Sequence, residues 1–405
     1  MARRNRNKRT QPKQQQQQRA KLSTQLVEQY VFQTRQDISK WRMAENAIKA
    51  VEFPMSYLLY NLYDDVMNDT TVTSQIENRT LEAISANFNL RPKGGDIDVD
   101  LTEELQNAEF INEIIRQIVY TRFFGHSVIE LDWDNTTGEN LLKSTLIPRQ
   151  NIIAKKGWFV KNYNDAEKID YRGLEEYGTW ILEFGKNDDL GLLNKIVPHV
   201  LFKKFAQSCW SELCEIYGIP PRVMKTDTQD PQALARGKKM MQQMGAAAWF
   251  IIDSTEEFQW AQGVQTNGDV YNNLIRLCTN EISIALNGAV LGQDTQNGSY
   301  GKERAGQDTL KKLVMADMAM VEMYMNTRVM PALARIGVVP ENYIFQYEIA
   351  EDTEELWKMT VQALNHFTVD PEWVKEKFGI KITGERESAT PVQQEKLSAD
   401  DGFFV

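Results

Sequence analysis

The residues of this chain with the strongest claim to chemistry are three histidines, three cysteines, one adjacent pair of acids and one Gly-Lys step. His126, His199 and His366 are widely separated, so no paired-histidine metal spacing arises. Each reads as a packed or hydrogen-bonded side chain, and His126 stands just before a strand with no second His or Cys nearby. Cys209, Cys214 and Cys278 are odd in number and lack metal spacing; they read as buried free thiols in a reducing compartment. Asp64 and Asp65 can hold a divalent cation for metal-assisted phosphodiester hydrolysis, against the blander reading of a solvated helix face. Gly301-Lys302 invites comparison with a phosphate-binding loop, but Gln296 stands where the first glycine belongs and Glu303 replaces the Ser or Thr. His-Glu-x-x-His, Gly-x-Ser-x-Gly, Cys-x-x-Cys and dinucleotide-binding glycine patterns are missing. The expectation is a chain with no catalytic residues, no resident metal and no cofactor.

Charge is distributed unevenly. Residues 1–21 carry eight Lys or Arg, beginning Arg3, Arg4, Arg6, Lys8 and Arg9, and no acid; the remainder carries 38 basic against 56 acidic residues, a net −18. This low-complexity, Gln-rich arm is expected to be disordered. It reads either as an arm for nucleic acid or an acidic partner, or as a solvated tail. An acidic body is a poor static DNA clamp, because clamps neutralise phosphates with Lys and Arg, yet it suits a surface that DNA passes without sticking. The longest apolar run, Ala246 to Ile252, is far short of the ~20 residues that span a bilayer, and no apolar h-region follows the basic start. No membrane association is expected.

The elements that must position these residues are mostly helical, with a small β component. Residues 22–90 show helical periodicity broken at Pro54. One helix is expected over Asp100 to Arg122, with Thr102 as N-cap and Gly125 just past its end, followed by strands in HSVIELDW, TLIPRQNIIA, GWFVKNY and TWILEF. Residues 187–200 read as a loop leading to a helix over 201–217, stopped by Gly218-Ile219-Pro220-Pro221. Asp230-Pro231 starts the next helix, to about Met244. A strand pair follows in AWFIIDSTEEFQW, then a helix over Asp269 to Leu286 and a polar loop over 291–306. A methionine-rich helix over 307–336 reads as an adaptable core or subunit interface, kinked or ended at Pro331. Residues 341–405 carry 14 acids against six bases and read as a strand, two helices and a flexible tail.

The order helix, EIYGIPPR, short helix, MGAAAWFII, strand pair, helix, LNGAVLGQ, Gly-rich loop, long helix resembles the portal proteins of tailed bacteriophages, in their Mu-like branch. RFFGHSVIELDW, PRQNIIAKKGWFVKNY and FTVDPEWVKEKFGI add to the resemblance, which covers roughly residues 40–380. It implies an α+β, predominantly helical subunit with a wing, stem helices, a small β clip and a helical crown-like end, assembled as a ring of commonly twelve copies. Beyond the arm at 1–21 it implies a wing over 22–230, stem helices over 231–290 with the clip inserted at 246–264, a channel-facing loop over 291–306, a long helix over 307–340, a crown-like region over 341–384 and a tail over 385–405. Double-stranded DNA would pass through the ring, driven by a separate terminase. Head-tail adaptors and the major capsid or scaffold protein are the other implied partners. Channel-facing candidates are Gln293, Gln296, Asn297, Ser299, Tyr300, Lys302 and Arg304, which can touch a phosphate backbone without reading sequence. Candidates for docking the motor or adaptors are Asp253, Ser254, Thr255, Glu256 and Glu257. The readings from another class are a metal-dependent nuclease using Asp64 and Asp65, and a DNA-binding module using the basic arm.

Overall fold

The computed structural model describes residues 33–134, 141–162, 167–218, 222–243, 249–255, 268–290, 300–348, 353–364 and 366–380. It divides into one unit ending at Tyr347 and a second beginning at Glu348. The fold is α+β and predominantly helical.

Three helices open the first unit: α1 (Gln33–Lys49), α2 (Tyr57–Met67) and α3 (Thr70–Ser85). Pro54 separates α1 from α2, as its missing N–H requires. Asp69 caps α3, accepting from Thr71 N at 3.0 Å and Val72 N at 3.3 Å. After β1 (Phe88–Pro92), the single helix expected over Asp100 to Arg122 is two, α4 (Val99–Gln106) and α5 (Glu109–Phe124). Asn107 turns its side chain back to Glu103 O at 2.8 Å, so it ends α4 rather than carrying it on. The N-cap is Asp98, not Thr102. Thr102 is buried, donating to Asp98 O at 2.6 Å and accepting from Leu90 N at 3.0 Å.

Gly125 ends α5 with φ +91°, and a Cβ there would lie 1.9 Å from Asp189 O. Only glycine can turn the chain at that point. The chain then forms β2 (His126–Asp134), β3 (Leu141–Leu146), three two-residue strands β4 (Ile152–Ile153), β5 (Trp158–Phe159) and β6 (Ile169–Asp170), and β7 (Ile181–Gly185). They make two antiparallel sheets, ordered β3-β2-β7 and β4-β5-β6. The inner face of the first sheet packs on α5, where Ile114, Ile118, Phe123, Ile129 and Phe184 are fully buried.

The helix expected from residue 201 begins eight residues earlier: α6 runs Leu193–Gly218 with Pro198 inside it. Pro198 is the sixth residue of the helix, so it removes the bond to Asn194 O and its ring crowds that carbonyl. Burial of Leu193, Ile196, Val197 and Val200 in the core outweighs that loss. β8 (Arg222–Thr226), α7 (Pro231–Gln243) and β9 (Trp249–Asp253) follow. β8 pairs with β9 in parallel, Arg222 opposite Trp249 and Thr226 opposite Asp253. A parallel pair needs a crossover, and α7, which packs on both strands, supplies it. The helix expected as a stem element at 231–244 is therefore the crossover of a β-α-β module. The second strand expected near Glu257 to Trp260 lies outside the described residues.

α8 (Asp269–Asn287) and α9 (Tyr300–Tyr324) complete the frame. Five residues of π-helix, Met325–Val329, lead into α10 (Met330–Ile336), which carries Pro331 near its start. The expected kink is this widened turn, which shifts the carbonyl that the proline ring would otherwise meet. β10 (Tyr343–Tyr347) returns to pair antiparallel with β1. In the second unit, Asp370 caps α12 (Pro371–Phe378), accepting from Glu372 N at 3.0 Å; α11 (Thr353–Ala363) contributes Trp357, whose ring lies 4.9 Å from that of Phe378.

Candidate functional site

α6 and α8 pack along each other. Trp210 lies beside Gly268 at the start of α8, while Lys203, about two turns earlier in α6, is near enough to Cys278, further along α8, for its charge to act on that thiol. The two helices are thus antiparallel struts, with the β-α-β module of residues 222–253 inserted between their ends. A buried ion pair fixes α6 in its first half: Lys203 Nζ stands 2.9 Å from both oxygens of the Asp69 carboxylate that caps α3, and 3.0 Å from Thr71 Oγ1.

The module's turns are organised by one carboxylate. Asp253 accepts from Thr228 N at 3.0 Å and Thr228 Oγ1 at 2.7 Å, and from Thr255 N at 3.0 Å and Thr255 Oγ1 at 2.7 Å. The Thr255 backbone N–H, with these other donors, holds its carboxyl well below the usual carboxylate range. Ser254 and Thr255 are exposed at the end of β9; Glu256 and Glu257 lie outside the described residues.

α9 starts at Tyr300, so the polar segment expected as a loop over 291–306 ends at residue 299. Lys302, Glu303, Arg304 and Ala305 are good helix formers, and Gly301 and Gly306 within the first two turns do not stop them. Tyr300 and Lys302 stand on the first turn of α9 and Arg304 is exposed on its second; Gln293, Gln296, Asn297 and Ser299 lie outside the described residues, as does the basic arm with Arg3, Arg4, Arg6, Lys8 and Arg9. Further along α9, Asp317 is fully buried between two arginines. Arg79 Nε of α3 donates to Asp317 Oδ2 at 3.0 Å, Arg79 Nη1 donates to Leu286 O near the end of α8, and Arg122 Nε of α5 lies 3.3 Å from Asp317 Oδ1. The Arg122 contact is charge proximity rather than a hydrogen bond, since Oδ1 has no hydrogen-bonding partner. One carboxylate thus joins α3, α5 and α9, and Arg79 carries the link on to α8.

Two further buried polar groups brace the sheets. Glu183 on β7 accepts from Arg172 Nε at 3.0 Å and Nη2 at 2.7 Å, from Tyr171 OH at 2.9 Å and from Tyr177 OH at 3.0 Å. Burial pushes its carboxyl up, but the Arg172 and tyrosine bonds outweigh this and hold it below its ordinary value. His126 is buried, with Nδ1 2.9 Å from Tyr60 OH; burial, reinforced by the Arg149 charge, pushes it down to about 3, so it is neutral. None of Arg79, Asp317, Glu183 or Lys203 was singled out by sequence reasoning, because each finds its partner through tertiary packing.

The other candidates are scattered. Asp64 and Asp65 are exposed, and Asp64 Oδ2 accepts from Gln150 Nε2 at 2.6 Å. Among the described residues no three His, Cys, Asp or Glu side chains stand together as a metal site. Of the three thiols expected to be buried only Cys278 is; Cys209 is half-buried and Cys214 exposed, because they lie on the outer side of α6. The methionines of α9 and its continuation divide: Met325 and Met330 are in the core, Met318 and Met320 half-buried against it, and Met315 and Met323 exposed. No helix of the described residues is long and apolar enough to cross a membrane.

Comparison with known proteins gives one family and distant structural likenesses. A chain from the neck of an empty GTA particle, computed with C6 symmetry, is 12% identical over 80% of this chain and 93% of that one, with a TM-score of 0.46. An HK97-family phage portal protein from Corynebacterium diphtheriae is 8% identical over 76% of this chain and 98% of that one, with a TM-score of 0.36. No curated protein matches. The family described as the portal protein of Mu bacteriophage matches residues 60–380, from α2 through α12. The match spans the struts, the module between them and the long helix in one continuous stretch, and this chain belongs to that family of phage portal proteins.

Proposed function

We propose that the chain assembles as a ring, of twelve copies, at one capsid vertex and serves as the conduit for double-stranded DNA during packaging, retention and ejection. The observation that carries this reading is the family match over residues 60–380. The paired struts α6 and α8, with a compact module held between their ends, are consistent with it. In this reading α6 and α8 are the stem, and the module of residues 222–253, with the turn at Asp253, Ser254 and Thr255, is the clip on which terminase and head-tail adaptors dock. Residues 291–299 at the head of α9 face the channel, and the acidic body keeps passing DNA from adhering. The major capsid or scaffold protein surrounds the ring in the virion. The family's role is structural, so the force on DNA comes from the terminase rather than from this chain.

The test is mass and symmetry of the purified protein, by light scattering and negative-stain imaging. A ring near twelve subunits with a central hole is expected. A protein that remains monomeric and cleaves DNA in a divalent-metal-dependent manner, with cleavage lost in Asp64→Ala/Asp65→Ala, would overturn the reading. Deleting residues 293–299 is expected to leave the ring intact and to lower the DNA content of particles.

A further inference from the structure

We infer that the outward faces of α8 and α9 are the two halves of one seam, α8 of one copy packing against α9 of the next. This rests on the ring proposed above. α8 carries two apolar faces. Cys278, Ile282 and Leu286 face the core, while Val270, Leu277 and Ile284, on the far side, are 60%, 56% and 48% exposed. Their spacing of seven residues draws an apolar stripe that drifts only ~20° per heptad along the helix, the pattern that a partner helix covers. A surface helix ordinarily carries one apolar face.

α9 repeats the arrangement. Val314, Asp317, Val321 and Tyr324 point inward, while Met315 and Met323, 57% and 48% exposed, flank an exposed Ala319 on the outer side. Alanine between two methionines leaves a shallow hole with adaptable walls, into which Leu277 or Ile284 fits. The rims are of opposite sign on balance: Asp269 and Glu281, with Arg276, border the α8 stripe, whereas Arg304, Lys311 and Lys312, with Asp308 and a Glu322 that is taken up by Tyr347 N, border that of α9. Two different faces on one protomer, each incomplete and complementary to the other, generate a heterologous contact, and a heterologous contact that closes is a ring.

The experiment places Leu277→Cys and Ala319→Cys together in a chain carrying Cys209→Ser and Cys214→Ser, and treats the assembled protein with a short bifunctional maleimide. A ladder of covalent multimers in the double variant, absent from either single variant, is the expected result, together with a fall of at least tenfold in the ring fraction of Leu277→Glu at fixed concentration. Rings of normal mass that give no ladder, or that persist in Leu277→Glu, would overturn the seam while leaving the ring standing. Covalent dimers from Leu277→Cys alone would show α8 facing its own copy and overturn the pairing. A parent protein that stays monomeric at all concentrations would overturn the ring and the seam together.

Discussion

Arg79 and Asp317 lie 238 residues apart in the chain and share a charge-assisted hydrogen bond of 3.0 Å from Nε to Oδ2, with both side chains buried. Arg79 also stands 5.3 Å from the centre of the Phe123 ring. Breaking a buried pair by removing one partner leaves an uncompensated charge and costs about 3–5 kcal/mol. Asp317→Ala is therefore expected to lower the free energy of unfolding by about that amount, measured by denaturant titration. The double change Arg79→Met/Asp317→Leu fills the space without charges and is expected to recover a large part of the loss. A double variant no more stable than Asp317→Ala would show that the Leu286 carbonyl, left without its donor, matters more than the pair.

His126 makes stability depend on pH. Burial and the Arg149 charge depress its folded-state pKa to about 3 from the ordinary 6.5. The unfolded chain therefore binds a proton that the folded one refuses, and stability falls as pH drops below 6.5, with the loss complete near the folded value. The slope from this one group approaches about 1.4 kcal/mol per pH unit within that window. Thermal melts of wild type and His126→Gln, compared at each pH from 7 to 5, isolate the effect. The two curves are expected to converge as pH falls, with the variant's the flatter. Parallel curves would show that His126 takes up its proton equally in the folded and unfolded states.

Glu183 holds four side-chain hydrogen bonds. Glu183→Leu leaves the partly exposed Arg172 guanidinium with only Ala154 O and Asn187 Oδ1 and is expected to cost about 2–3 kcal/mol, whereas Glu183→Gln, which keeps part of the network, costs less. The change should also be local: β4, β5 and β6 lie around Tyr171 and Arg172, so limited proteolysis is expected to cut first within residues 152–177. Cleavage elsewhere at the same rate would mean that the sheet module and the helical frame open as one.

What was legible in the sequence was local. Asp230-Pro231 and Asp370-Pro371 announced two helix starts, and Gly125 announced a stop that its φ and the nearness of Asp189 enforce. What was not legible depended on partners distant in the chain. Pro198 looked like a boundary because nothing local shows that Leu193, Ile196 and Val200 lie in the core. The pairing of β8 with β9 was hidden because parallel strands have no turn signal, and Arg222–Thr226 is five residues of ordinary polarity. The loop before α9 was read too long because Gly301 and Gly306 suggest a break that the intervening helix formers override. The ion pairs of Asp317 and Asp69 leave no trace in residue spacing. The resemblance points to the family, but the struts follow only from the three-dimensional nearness of Trp210 to Gly268.

The Asp253 clasp gives the most direct test of the docking assignment. Its carboxylate ties the turn after β8 to the turn after β9 through Thr228 and Thr255, using charge-assisted bonds from an exposed position. Asp253→Ala removes all four at once without opening the core. Amide exchange is therefore expected to rise at Thr228 and Thr255 and to stay unchanged at Ile282 and Leu286, in the struts. Ring mass is expected to stay normal, since neither turn belongs to α8 or α9. If the turns form the docking surface, joining of heads to tails falls while assembly persists. Loosened turns with undiminished joining would move the docking site off this edge of the module, leaving the struts and the ring untouched.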